Sequence, residues 1–256
     1  MTSPLDYSPA PGAASAGRRV RSQTVLELGT TLRNGEQLLL TLGIPLILLV
    51  ALTVVPILDL GTSARIDVVT PGILALAVMS TAFTGLAIAT GFDRRAGALK
   101  FLGSTPLSRG QLLTAKFFAV VVTEVLQVAL ITVVALLLGW HPHGSPFEVV
   151  ALLLMGTAAF CSLGFALSGL LRAEATLAVA NAIYLLLLLG GGVIIPTDRL
   201  PAAWSAIASG LPSGALANGL RTVLITGATL PWSCVAILAV WTVIGVIVAV
   251  KTFRWE

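Results

Sequence analysis

The sequence predicts an all-α membrane protein with six transmembrane helices, and three observations carry that prediction. Of 256 residues, 57% are hydrophobic and 10% charged, and the mean hydropathy of +1.00 lies outside the range of ordinary soluble domains. The charges are gathered between long apolar runs, as expected where hydrocarbon excludes ionised groups at about 2.5–3.5 kcal/mol each at mid-membrane. Each run is close to the roughly 20 residues that cross about 30 Å of hydrocarbon.

Met1 to Gly17 is rich in Pro, Ala, Ser and Gly and lacks the basic-then-apolar pattern of a cleavable signal. Residues 1–22 are expected to form a disordered cytoplasmic tail, and residues 23–256 a single transmembrane domain. The first ordered piece is expected over Val25 to Asn34, where Thr24 and Glu27 have capping-box spacing and Val25, Leu28 and Leu32 share a face. With Arg18, Arg19, Arg21 and Arg33 around it, this helix suits an amphipathic position on the cytoplasmic membrane surface, and equally a simple linker. Six spans follow, at about 37–57, 71–92, 112–138, 148–170, 177–195 and 231–250. Pro45 is expected to bend the first, and Gly190, Gly191 and Gly192 followed by Pro196 to break the fifth near its end.

Lysines and arginines set the orientation. Arg18, Arg19, Arg21, Arg33, Arg94, Arg95, Lys100, Arg109, Lys116, Arg172, Lys251 and Arg254 fall on one side, and Arg65, Arg199 and Arg221 on the other. The positive-inside rule then places both termini in the cytoplasm. The net charge of +4 follows from that topology and is no sign of nucleic-acid binding. Between the fifth and sixth spans, Pro196 to Leu230 is outside yet apolar. Leu200, Trp204, Ile207 and Leu211 repeat at helical spacing, as do Leu216, Leu220, Val223 and Leu224, with Pro201, Pro212 and Gly214 as breaks. Two short helices re-entering the outer leaflet fit this stretch better than a solvated loop, because irregular backbone at membrane depth needs shielding. A hairpin lying at the interface is the plainer reading.

Few side chains are placed for chemistry. His141 and His143, the only histidines, fall in the short turn Gly139–Phe147, which removes the usual haem, metalloprotease and histidine-base arrangements from the membrane interior. A solvated loop explains the pair better than a metal, so no metal site is expected. Cys161 and Cys234 sit at different depths in apolar runs, and no disulfide is expected. A G-x-x-x-x-G-K-[ST] loop is missing, so this chain is not expected to hydrolyse nucleotides. Ala77, Thr81, Gly85 and Ala89 recur every fourth residue on the second span; close helix packing explains them more simply than a substrate-lining face. Glu124 is the one ionisable side chain deep in a span, roughly 12 Å beyond Lys116 at about 1.5 Å per residue. It needs a proton, an aqueous cavity or a polar partner, with Gln127, Asn181 and Tyr184 as candidates.

The stretch Phe92–Lys116, FDRRAGALKFLGSTPLSRGQLLTAK, is a basic connection between the second and third spans, with a short helix expected over Ala96–Leu102 and a turn at Thr105 and Pro106. By its residues alone it fits a docking surface or a plain charged loop. Its Asp93, Arg94, Gly97, Leu99, Thr105, Pro106, Leu107, Ser108, Arg109 and Lys116 resemble the signature of type-2 ABC export permeases. Arg95 departs from that signature, since an acid is usual there. The run Gly190 to Arg221 is similar to the same family's re-entrant outer segment, through its Gly-rich helix end, Pro196, Leu200, Pro201, Trp204, Pro212 and Arg221. Arg33 and Pro45 are also spaced as in that family's approach to its first span. The resemblance runs from about Leu26 onward and singles out the daunorubicin-resistance and multidrug-efflux branch.

It implies the transmembrane subunit of an ATP-driven exporter: half a transporter, in the cell membrane, moving drugs, antibiotics or other amphiphiles by alternating access. It also implies a second permease subunit, identical or different, and separate ABC ATPase subunits that carry ATP and Mg. No cofactor is expected on this chain, and membrane lipid is its remaining partner. Coupling to the ATPase would fall to Asp93, Arg94, Arg95, Gly97, Leu99, Lys100, Thr105, Pro106 and Arg109. The substrate path would follow the second and fifth spans, with Thr81, Gly85, Glu124, Asn181 and Tyr184 along it. Related permeases export lipid-linked or polysaccharide substrates or serve haem and cytochrome assembly, which gives the alternative within transport. A structural membrane subunit without a path is the alternative from another class, and the lack of polar clusters disfavours a membrane enzyme.

Overall fold

A computed structural model of the chain describes residues 12–55 and 65–253. These residues are all-helical, with no strand among them. In chain order the helices are α1 (Ala16–Arg33), α2 (Gly35–Val54), α3 (Arg65–Arg95), α4 (Ala98–Gly103), α5 (Arg109–Leu137), α6 (Pro146–Leu170), α7 (Ala173–Gly190), α8 (Ala202–Gly210), α9 (Pro212–Thr226) and α10 (Trp232–Thr252). Five of them, α3, α5, α6, α7 and α10, are each long and apolar enough to cross a membrane, and the pair Ala16–Arg33 and Leu38–Val54, bent by 67°, makes a sixth if taken as one unit. The chain is therefore a multi-pass membrane protein with five or six candidate spans.

The expected start needs correction. Thr24 does not cap a helix beginning at Val25; it lies inside α1, where its hydroxyl donates to Val20 O at 2.9 Å. Residues 16–22, expected in the disordered tail, are the first turns of α1, a helix that packs along α5 through Thr24 and Glu27, and such packing supplies most of a helix's stability. Residues 1–11 of the expected tail and residues 56–57 of the expected first span lie outside the described residues. Pro45 sits within α2.

Two further boundaries moved. The fifth span, expected to reach residue 195, ends at Gly190, because Gly192 takes φ +77 and the chain then turns toward Pro196. Gly214, expected as a break, is inside α9; a Cβ there would lie 1.9 Å from Ala208 O, so the glycine serves close approach. Pro201 and Pro212 do fall at helix starts, as N-cap of α8 and first residue of α9.

The core is built on α3. Ile66 and the run Val68–Met79 are buried, with α2, α6 and α9 packed against this helix. Midway along it, Met79–Gly85 form a π-helical stretch, in which the Leu86 N–H reaches back to Thr81 O. Here α6 comes closest: a Cβ on Gly164 would stand 3.1 Å from both Ala82 O and Phe83 O, and Phe160 meets Phe83 at a ring-centroid distance of 6.5 Å. The close approach of α3 and α6 is made at Gly164, whereas Thr81, Gly85 and Ala89 of the expected stripe line a small cavity instead. Outward faces stay apolar, as with Leu39 and Ile47 on α2, Val125 on α5, Leu186 on α7 and Val250 on α10. Hydrocarbon, and not water, suits such faces.

Candidate functional site

The residues of the Phe92–Lys116 stretch divide into a buried root and an exposed tip. At the root, Lys116 is 2% exposed and its Nζ donates to Glu27 Oε2 at 2.8 Å and Asp93 Oδ2 at 2.7 Å, joining α1, α3 and α5. A buried ammonium needs such partners. Gln23 donates to the second oxygen of Glu27 at 2.8 Å. Arg94 reaches the carbonyls of Gly169 and Leu171 at the end of α6, which its charge suits because the carbonyl end of a helix is negative. Arg95, the residue that departs from the signature, pairs with Glu174 at the start of α7, with both side chains 61% exposed.

The tip is α4. Gly97 sits in the left-handed conformation at φ +76 with open space where a Cβ would be, and turns the chain back into α4. Leu99 is 1% exposed and packs with Leu112 and Phe253, while Lys100 and Phe101 face outward, Phe101 at 73% exposure. The return segment is tied down residue by residue. Thr105 donates to Leu102 O at 2.6 Å, and Pro106 O accepts from Arg19. Ser108 and Gln111 form a capping box that starts α5, and Arg109 donates to Phe253 O at 3.3 Å. Of the nine expected coupling residues, Asp93, Arg94, Leu99 and Thr105 are wholly or partly buried, and Arg95, Gly97, Lys100, Pro106 and Arg109 are exposed.

The five expected path residues do not form one site. Thr81 donates to Gln127 Oε1 at 3.0 Å, and Gln127 donates to Thr41 O at 2.7 Å, linking α3, α5 and α2. Thr81 and Gly85 line a cavity of about 60 Å³ that also touches Thr123, Lys116 and Glu27. Glu124 is not in that lining. It is 6% exposed and accepts from Thr157 on α6, with its Oε1 left without a hydrogen-bond partner. Its partner is therefore none of Gln127, Asn181 or Tyr184. Asn181 is exposed and donates to Leu177 O at 2.9 Å, and Tyr184 bonds Ser80.

At the opposite end of the bundle the residues Pro196, Pro201, Trp204, Pro212 and Arg221 surround the end of α7. Four successive carbonyls left free there are each taken by a side chain of the α8–α9 hairpin. Trp204 Nε1 donates to Gly190 O at 2.9 Å and Ser213 to Gly191 O at 3.3 Å. Arg221 donates to Gly192 O at 2.6 Å and Val193 O at 2.5 Å. Gly72 of α3 makes room, since a Cβ there would stand 2.3 Å from Val193 O. Burial pulls the Arg221 guanidinium down to about 10, and the Asp198 carboxylate works against that shift. Trp241 of α10 donates to Gly210 O at 2.9 Å, which ties the hairpin to the last span.

Sequence reasoning missed Glu27, Thr157, Arg19 and Ser213 as partners. One signal bore on Glu27: Lys116 lies in an otherwise apolar run and needs an acid, and Glu27 and Asp93 are among the few acids in segments assigned to the same side. His141 and His143 are exposed, and among the described residues no three of His, Cys, Asp and Glu gather as a metal site.

Residues 24–225 match the model of the family described as ABC-2 type transporter, a range that holds both the α4 stretch and the hairpin. Over 164 residues the chain is 28% identical to YvfS of Bacillus subtilis (strain 168), a candidate transport permease. That match takes in 63% of this chain and 66% of the relative, just under two thirds of its length. A family match across most of the chain, on an all-helical bundle with candidate spans, places this protein in the ABC-2 type transporter family as a membrane permease.

Proposed function

We propose that this chain is the permease subunit of an ATP-driven exporter in the cell membrane, one that moves drugs, antibiotics or other amphiphiles by alternating access. It works with a second permease subunit and with ABC ATPase subunits that bind ATP and Mg. The observation that carries this reading is the construction of α4: an exposed tip, Arg95 to Ala98 with Lys100 and Phe101, on a root whose Asp93 and Arg94 are bonded to α5 and α6. A push on α4 from an ATPase subunit passes through those bonds into the bundle. Both termini and α4 are cytoplasmic, in line with the excess of Lys and Arg on that side. α1 lies on the cytoplasmic surface, and the α8–α9 hairpin re-enters the outer leaflet, where Arg221 and Trp204 shield the irregular backbone after α7.

The test is transport with co-reconstituted ATPase subunits. Gly97→Trp should bring substrate-stimulated ATP hydrolysis and transport to background while membrane insertion stays normal, because the side chain enters the open space at the α4 bend. Normal transport by that variant would place the docking site elsewhere. Arg95→Cys, in a chain lacking Cys161 and Cys234, should react with an impermeant thiol reagent only from the cytoplasmic side. Reaction from outside would overturn the topology.

A further inference from the structure

Between α1 and the Leu102–Leu107 turn lies a groove of about 460 Å³, within the roughly 300–1,000 Å³ of small-ligand sites. Its walls are of two kinds. Leu26, Leu102 and Leu107 make an apolar floor, and Arg18 and Arg19 stand at its side, with no acidic residue among the described residues of the lining. Arg19 is fixed by its bond to Pro106 O, yet its Nε is buried with no hydrogen-bond partner among the described residues. A fixed cation with an unused buried donor calls for an anion, because an unmet polar group out of water is costly. The apolar floor calls for a ligand that is anionic only in part.

The surface around the groove has the same double character. Val25 is 63% and Leu26 57% exposed, beside the exposed Arg18, Arg21 and Ser22. Beyond the bend into α2, Leu39 is 72% exposed. Apolar and cationic side chains exposed together are stable at the boundary between headgroups and acyl chains, where each kind has its own solvent. A free phosphate would engage the arginines and leave the leucines in water.

We infer that this groove binds the headgroup of an anionic phospholipid, with Arg18 and Arg19 on its phosphate and Leu26, Leu102 and Leu107 against its glycerol and upper acyl chain. The inference deepens the interfacial placement of α1 proposed above. Its test reads headgroup retention, which does not depend on the face of the membrane that α1 occupies.

Full-length protein is reconstituted in nanodiscs of equal phosphatidylglycerol and phosphatidylcholine, extracted into mild detergent, and its retained lipids counted by native mass spectrometry. Phosphatidylglycerol should be retained in preference. Arg18→Gln with Arg19→Gln should weaken retention by roughly tenfold or more, since each basic residue near an anionic surface matters on that scale. Arg18→Gln alone, which breaks no bond to Pro106, should show a smaller loss in the same direction and guards against misfolding of the double variant. Arg18→Lys with Arg19→Lys should keep most of the lipid, and Arg199→Gln all of it. Equal retention of the two lipids, or unchanged retention in the Gln variants, overturns the inference. Loss of ATPase-subunit binding by the Gln variants with lipid retention intact also overturns it, and makes the groove a protein-docking site.

Discussion

The two ends of this bundle are held by different chemistry. At the α4 end ion pairs join the helices, with Lys116 between Glu27 and Asp93 and Arg95 facing Glu174, beside bonds from Arg94 and Arg109 to main-chain carbonyls. At the hairpin end side chains hold main chain: Trp204, Ser213 and Arg221 take the carbonyls of residues 190–193. An ion pair between long side chains tolerates sliding of its helices and can change partners. Donors seated on consecutive carbonyls fit one register alone. The comparison teaches that ion pairs leave one end able to re-pair while the other is held in one register.

The largest effect expected is at the locked end. Arg221→Met leaves the Gly192 and Val193 carbonyls buried without donors, a loss of about 2–6 kcal/mol at about 1–3 for each. It should appear as a lower midpoint of thermal unfolding in mild detergent and as poor yield. A change below about 1 kcal/mol would mean that this end is not locked.

A smaller loss is expected for Lys116→Met, about 1–3 kcal/mol. The charges it orphans, Glu27 and Asp93, are 18% and 39% exposed, so water takes up part of the cost. Adding Glu27→Gln should restore part of the midpoint, because a neutral amide is cheaper to leave without a cation. A midpoint that falls further on that addition would sink the ion-pair account of the root. A loss greater than that of Arg221→Met would invert the comparison itself.

The smallest effect belongs to the exposed pair. Exchanging Arg95 and Glu174 should shift stability by no more than about 0.5 kcal/mol, as for other solvated ion pairs. Any larger shift would show that this pair is shielded from solvent.

The spans were legible because hydrocarbon imposes long apolar runs, and α5, α6 and α10 fall close to where composition put them. The Gly190–Gly192 break was legible for the same kind of reason, since three glycines before a proline cannot continue a helix. What was not legible depends on neighbours. Residues 16–22 look polar and tail-like in the sequence, yet they begin the helix whose later residues Thr24 and Glu27 bond α5. The partner of Glu124 was misjudged because spacing along α5 reports its own faces, whereas Thr157 is brought to it by the packing of α6. For the candidate site, the α4 stretch was recognisable as a unit, but its division into a buried root and an exposed tip required the helices that surround Lys116.

The π-helical stretch of α3 has a consequence for anyone aligning or engineering this helix. A π turn carries one residue more than an α turn, so the faces of α3 on either side of Met79–Gly85 are out of phase by roughly 100°, one residue's rotation. A helical wheel drawn through the whole of α3 therefore misassigns one half. Deleting a single residue inside the stretch would close it to an ordinary α-helix and keep Asp93 and Arg94 facing Lys116 and the end of α6, whereas a deletion after Gly85 would act as a gear change and swing them away.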